Sequence, residues 1–173
     1  MYKYNFLYFF KDTVKKNKLK IGLIDVNDKK YTFKYLDHES DKLATSLEKY
    51  KKKNVIIAID STKNLNTILS FLACLKIGLP YFFLDINLPS NRIKEIIKKT
   101  NCKFILSDKP TPFVKRININ KYRKKKKVFY TSCTADQTAY IMFTSGSSGS
   151  PKGAIISHQS VINFTRWCKD NFL

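Results

Sequence analysis

Apolar positions along the chain alternate between two spacings, and each change of spacing marks a change of element. Phe6, Phe9, Phe10 and Val14 recur three and four residues apart, which predicts an amphipathic helix over the first turns. "KIGLIDV" and "KYTF" are short runs separated by Asn27-Asp28 and read as a hairpin. Thr32 is suited to cap the next helix, whose one face carries Leu36, Leu43, Ala44, Leu47 and Tyr50.

The middle of the chain repeats one unit. "NVIIAID" is a fully apolar run of the kind buried on both faces of a parallel sheet. "NLNTILSFLACLKIG" reads as a helix closed by Gly78, and "YFFLD" as a second strand. Pro89 suits the first turn of the helix "PSNRIKEIIKKT", and "KFILSD" is a third strand. Strand, helix, strand, helix, strand predicts an α/β fold: a layered, mostly parallel sheet with flanking helices. Residues 109–135 lack a sustained period, carry Lys124 to Lys127 in a row, and read as a flexible connection. "QTAYIMF" and "AIIS" are two further strands on either side of a loop, and Val161, Phe164, Trp167 and Cys168 then recur at helical spacing, as a core stripe would.

Composition narrows the function classes. The net charge is +20, which favours polyanions or an acidic membrane surface, but the excess is almost all lysine. The arginines are Arg92, Arg116, Arg123 and Arg166, too few and too scattered for a dedicated reader of nucleic acid, which uses guanidinium groups for bidentate contacts. No amphipathic face accompanies the lysine run, so a solvated connection is favoured over a membrane contact. Cys74, Cys102, Cys133 and Cys168 form no C-x-x-C pair, and Cys74 falls in an apolar helical pattern; a reduced, cytoplasmic setting is expected. The aromatic start, interrupted by Lys3 and Asn5, is no signal peptide, and no run is long enough to span a membrane.

The chemistry concentrates in "FTSGSSGSPKG", Phe143 to Gly153, which holds three of the five glycines. The P-loop pattern G-x-x-x-x-G-K-[ST] fails here, because Lys152 is followed by Gly153 and a strand rather than by Ser or Thr and a helix. The dinucleotide fingerprint G-x-G-x-x-G is absent. What remains is a strand–loop–strand turn. Its glycines let backbone N–H groups converge, its hydroxyls donate at short reach, and Lys152 brings a positive charge. These are the needs of a polyphosphate, although small-hydroxyl composition alone favours a plain hairpin loop.

Thr144-Ser145-Gly146-Ser147-Ser148-Gly149-Ser150-Pro151-Lys152-Gly153 resembles the signature phosphate loop of the adenylate-forming (AMP-binding) superfamily, T-S-G-[ST]-T-G-x-P-K-G, with Ser148 keeping the hydroxyl where threonine is commoner. Ala139-Tyr140 and Ser157-His158 extend the match. "LKIGLPYFFLDINLPSNRI" resembles the family's L-K-A-G-x-A-Y-V-P-[IL]-D-x-x-x-P-x-x-R-I through Leu75, Lys76, Gly78, Tyr81, Asp85, Pro89, Arg92 and Ile93, with Pro80 in place of Ala. "YTFKYLDHESDKLATSL" resembles the weaker opening motif, L-T-Y-x-E-L, departing from it at Phe33 and Tyr35. The second motif is closer to amino-acid-activating members, among them carrier-protein ligases and nonribosomal peptide synthetase adenylation domains, than to fatty-acyl ligases.

The resemblance implies an enzyme that joins a carboxylic acid, here an amino acid, to ATP. An acyl-adenylate and pyrophosphate form with the help of Mg²⁺, and the acyl group then passes to a thiol, often the phosphopantetheine of a carrier protein. It implies that Thr144, Ser145, Gly146, Ser147, Ser148, Gly149 and Lys152 hold the β- and γ-phosphates. It places the acid pocket, the adenine site, the ribose-binding aspartate and the catalytic lysine beyond Leu173. Residues 1–173 are therefore expected to be the N-terminal portion of an adenylation domain, an incomplete N-terminal domain of the adenylate-forming fold, with no catalytic residue and no metal ligand of its own. The alternatives are a truncated, non-catalytic remnant, a nucleotide- or pyrophosphate-binding module that needs a partner chain, and a polyanion-binding protein. His158 is expected to orient its turn rather than act as a base, His38 to be exposed, and Asp85 and Arg92 to fix the strand–helix turn.

Overall fold

A computed structural model describes residues 5–51, 53, 55–122, 133–145 and 150–172. Helix α1 (Phe6–Lys16) starts at Asn5, whose side chain accepts a hydrogen bond from the Leu7 N–H at 2.9 Å, and it buries Leu7, Phe10 and Val14. Strands β1 (Ile21–Ile24) and β2 (Lys30–Thr32) form the hairpin. Its turn is longer than Asn27-Asp28 alone: the Asp25 carboxylate accepts from the N–H groups of Asn27 and Lys29, and Asp28 takes the left-handed conformation at φ 58°. Thr32 caps α2 (Phe33–Lys51) by accepting from the Tyr35 N–H, and every residue of the expected apolar face of α2 is buried.

The main sheet takes in β3 (Ile57–Asp60), β4 (Tyr81–Leu84), β5 (Phe104–Leu106), β6 (Lys115–Ile117), β7 (Thr138–Ser145) and β8 (Pro151–Ser157), in the spatial order β6-β5-β3-β4-β7-β8. All neighbours are parallel except β7 and β8. Helix α3 (Leu65–Ile77) links β3 to β4, and α4 (Ser90–Thr100) links β4 to β5. Gly78 ends α3 in the left-handed conformation at φ 63°, a turn that a side chain would strain. Pro89 stands at the N-cap of α4, one residue ahead of the first helical position.

Side chains alternate across the strands, and the central parallel strands are largely buried on both faces, whereas β8 is mostly exposed. Ile57, Ile59, Tyr81, Leu106 and Ile117 pack with Leu43 and Leu47 of α2 and Leu69 and Leu72 of α3. On the other face Ala58, Phe82, Leu84 and Ile105 pack with Ile93 and Ile96 of α4. Cys74 is fully buried, and burial pushes its thiol pKa well up, as befits a small core hydrophobe. The four cysteines are unpaired.

Two expectations need correction. The stretch 109–135 is not simply a connection: β6 extends the sheet, and α5 (Ile119–Tyr122) sets Ile119 into the core. Three-residue β6 escapes a periodicity reading because only Ile117 faces inward. Lys124 to Lys127 lie outside the described residues. The last helix, α6 (His158–Phe172), also differs from expectation, because its inward stripe is His158 and Ile162, with the Arg166 guanidinium 5.2 Å from the Phe9 ring of α1. Trp167 follows His158 by nine residues, roughly 180° round a helix, and so points away. It stays 53% exposed and stacks with exposed Phe164, while Val161 is partly buried.

The polar centre of the helical layer is Lys76, 1% exposed near the end of α3. Its ammonium donates to Asp41 Oδ1 at 2.7 Å, Asp37 Oδ1 at 2.8 Å and the Asp37 carbonyl oxygen at 2.8 Å, so all three donors are used. Lys11 of α1 adds 2.7 Å to Asp37 and 3.5 Å to Asp41. Burial holds the Lys76 pKa below its ordinary value, against the pull of the two carboxylates. Burial alone would raise Asp37, but Lys76 and Lys11 outweigh it and keep the carboxyl below the usual range. Replacing Lys76 by Met removes the 2.7 Å bond to buried Asp41 and leaves it only the 3.5 Å contact with Lys11, so chemical denaturation is expected to show a loss of about 3 kcal/mol. The double variant Lys76→Met/Asp41→Leu should recover much of that loss.

Candidate functional site

The loop singled out by the sequence joins β7 to β8. These strands form an antiparallel hairpin in which Thr144 opposes Lys152 and Ser145 opposes Pro151. Because β7 runs parallel to β4, the loop emerges at the carboxyl edge of the parallel strands, where open α/β sheets bind their ligands. Thr144 and Lys152 share a face and are both exposed. The Lys152 ammonium has no hydrogen-bond or ion-pair partner among the described residues. Gly146, Ser147, Ser148 and Gly149 lie outside the described residues.

The opposite face of the hairpin is anchored. Phe143 packs edge-on against Phe82, with ring centroids 5.7 Å apart, and it opposes Gly153 across the ladder. A Cβ at Gly153 would lie 3.1 Å from Ile141 Cγ2 and 3.2 Å from the Phe143 ring, so the missing side chain lets the ring lie flat over the strand. A side chain here would press on Ile141 and Phe143, and strand alternation puts Thr144 and Lys152 on the opposite face.

The exit of the loop is held by α4. Lys99 Nζ donates to Ser150 Oγ and to the Pro151 carbonyl oxygen, each at 2.8 Å. Ser150 Oγ in turn donates to Glu95 Oε1 at 2.8 Å. Sequence reading did not single out these residues; the available signal was an acid and a base four residues apart on one helix.

The other motif residues sit apart from the loop. Asp85 Oδ1 accepts from the Asn87 N–H at 2.9 Å and its side-chain amide at 3.1 Å and so shapes the β4–α4 turn, where the backbone N–H of Arg92 donates to the Pro89 carbonyl. His38 is half-exposed beside Glu39, 3.2 Å away. His158 is 1% exposed at the far end of β8, six residues and roughly 20 Å from Lys152, beyond reach of the loop. Its N–H donates to the Gln137 carbonyl at 3.0 Å, and its Nδ1 has no hydrogen-bond partner. No group of three or more His, Cys, Asp or Glu suited to a metal occurs among the described residues, and no helix among them is long and apolar enough to cross a membrane.

A family model for the AMP-binding enzyme matches residues 10–172. The chain belongs to the AMP-binding enzyme family. It is 30% identical over 156 residues to the D-alanine–D-alanyl carrier protein ligase of Bacillus anthracis, an alignment covering 84% of this chain and 31% of the ligase. Its fold matches the N-terminal subdomain of NpsA from Klebsiella oxytoca, with a TM-score of 0.76 at 24% identity over 87% of this chain and 41% of that one. The o-succinylbenzoate CoA synthetase MenE of Bacillus subtilis gives a TM-score of 0.79 at 19% identity, covering 95% of this chain and 46% of that one. The α/β architecture is thus that of the N-terminal part of AMP-binding enzymes, and the chain spans about a third of the length of the curated relatives it matches.

Burial holds the His158 imidazole below its ordinary value of 6.5. The unfolded chain therefore takes up that proton first. Stability is complete above pH 6.5 and declines as pH falls from there to the lower folded value. The Asp37 contribution is lost only below its ordinary 3.8, as pH falls through its lowered folded value. Thermal melts from pH 7.5 to 5 should show a falling Tm for the wild type and a flatter profile for His158→Leu.

Proposed function

We propose that this chain is the N-terminal part of an ATP-dependent ligase that activates a small carboxylic acid as an acyl-adenylate, with release of pyrophosphate. The observation that carries this reading is the Thr144/Lys152 pair, exposed side by side at the carboxyl edge of the sheet and flanking the glycine- and hydroxyl-rich loop. Thr144, Ser145, Gly146, Ser147, Ser148, Gly149 and Lys152 would hold the β- and γ-phosphates. The acid's carboxylate oxygen attacks the α-phosphorus, the bond from that phosphorus to the bridging oxygen breaks, and pyrophosphate leaves with the electron pair. Lys152 offsets the charge that accumulates on the leaving group, and the hydroxyls and backbone amides orient it. The hydroxyl and ammonium donors of Thr144 and Lys152 suit phosphate oxygens rather than a cation, so Mg²⁺ would enter on the nucleotide and supply further charge compensation there.

The amino-acid class of substrate and the carrier-protein thiol as acceptor are supported by the name of the D-alanyl carrier protein ligase and by the form of the second motif. The share of that ligase covered, 31%, supports a division of labour in which the acid and adenine are bound by residues outside this segment. The second reading is a pyrophosphate- or nucleotide-binding module completed by a partner chain.

Acid-dependent ATP–pyrophosphate exchange tests the proposal, beginning with D-alanine and with the native polypeptide that carries this segment. Exchange is expected, and Lys152→Ala should lower it by about 10²-fold. Residues 1–173 alone should bind pyrophosphate without catalysing exchange. Exchange indifferent to Lys152→Ala would refute the role given to the loop, and nucleotide binding with no exchange in any native form would favour the second reading.

A further inference from the structure

The bonds between α4 and the loop exit go beyond what the loop motif itself contains. Lys99 and Glu95 are one helical turn apart and converge on a single hydroxyl, that of Ser150. Ser150 sits at the variable position of the signature, directly before Pro151. Its hydroxyl receives from the ammonium and donates to the carboxylate, so both its roles are used within the protein and it is not left to meet a phosphate. The second Lys99 bond, to the Pro151 carbonyl, grips the backbone one residue before Lys152. Pro151 is itself buried and opposes Ser145, so helix, loop exit and first ladder pair form one unit.

We infer that Lys99 and Glu95 are positioning residues for phosphate binding: a brace from α4 that fixes the loop exit and thereby the direction in which Lys152 leaves the strand. The inference rests on the phosphate-loop reading above, and it assigns no contact between the brace and the phosphates. The brace has a consequence that simple charge does not. Removing the Glu95 carboxylate makes the neighbourhood of the loop more positive, which by Coulomb attraction alone would tighten the binding of a polyanion. Loosening the brace does the opposite, because the donors must then be ordered when the ligand binds.

Two measurements on the 173-residue chain separate these effects. In the ligand-free chain, hydrogen exchange of the peptide containing Ser150, Lys152 and Gly153 should quicken about fivefold or more in Lys99→Met, Glu95→Ala and Ser150→Ala, with Lys99→Arg near wild type. Titration with inorganic pyrophosphate should show roughly tenfold weaker binding in Glu95→Ala and Ser150→Ala, and restored binding in Lys99→Arg relative to Lys99→Met. Unchanged exchange in Lys99→Met and Glu95→Ala overturns the brace. So does pyrophosphate binding that is unchanged or tighter in Glu95→Ala while Lys152→Ala weakens it. Pyrophosphate binding that is absent, or indifferent to Lys152→Ala, counts instead against the phosphate-loop reading, and the exchange rates then decide the brace by themselves.

Discussion

A buried ammonium holds the helical layer together. Lys76 reaches from α3 to two carboxylates one turn apart on α2, and Lys11 closes the group from α1. An unpaired ion in this setting would be strongly unfavourable, so arrangements of the three helices that part Lys76 from Asp37 and Asp41 are disfavoured. Apolar packing around Leu43, Leu47, Leu69 and Leu72 supplies most of the driving force, and the ion cluster adds a directional constraint. Since α3 leads through Gly78 directly into β4, this fixed layer also sets where β4 lies, and β4 is the strand on which the β7–β8 hairpin is built.

The loop owes its position to that chain of supports. Parallel pairing with β4 aims the end of β7 at the carboxyl edge of the sheet, and antiparallel β8 returns the chain, leaving the loop as the hairpin's tip. One face of the hairpin is committed to the core through Phe143 and Ile141, so the other presents Thr144 and Lys152 outward. In the proposed role, a phosphate loop between two strands would differ physically from one that opens a helix: it has no helix dipole to draw on, and its positive charge would come chiefly from a side chain.

Most of the fold was legible in the sequence because its signals were long and redundant. The face of α2 combined periodicity with a capping threonine, β3 was signalled by an unbroken apolar run, and α3 ended at a glycine. Of the expected α1 face Phe10 and Val14 are buried, Phe6 and Phe9 are only partly so, and Leu7 is buried with them. What escaped detection was short or depended on the tertiary setting. Strand β6 has one inward residue and no period to read. The stripe Phe164-Trp167 has helical spacing, yet spacing does not say which side of a helix meets the rest of the protein, and here Ile162 and His158 do. Lys76 could be matched to a motif, but its ionic role required knowing that Asp37 and Asp41 lie across from it. The candidate site was legible as a motif for the same reason that the brace was not: the loop residues are contiguous, whereas Glu95 and Lys99 are more than fifty residues from Ser150 in the chain.

The fit of the Phe143 ring over Gly153 also works as a registration mark. Side chains alternate across a strand, so sliding β8 by one residue would turn Lys152 toward the core, bring Ala154 opposite Phe143 and leave the flat site beneath the ring filled. Only one alignment satisfies both the ring and the lysine. The ring over Gly153 in this way ties the phase of both strands to the core beneath them, and the Thr144/Lys152 pair inherits that phase.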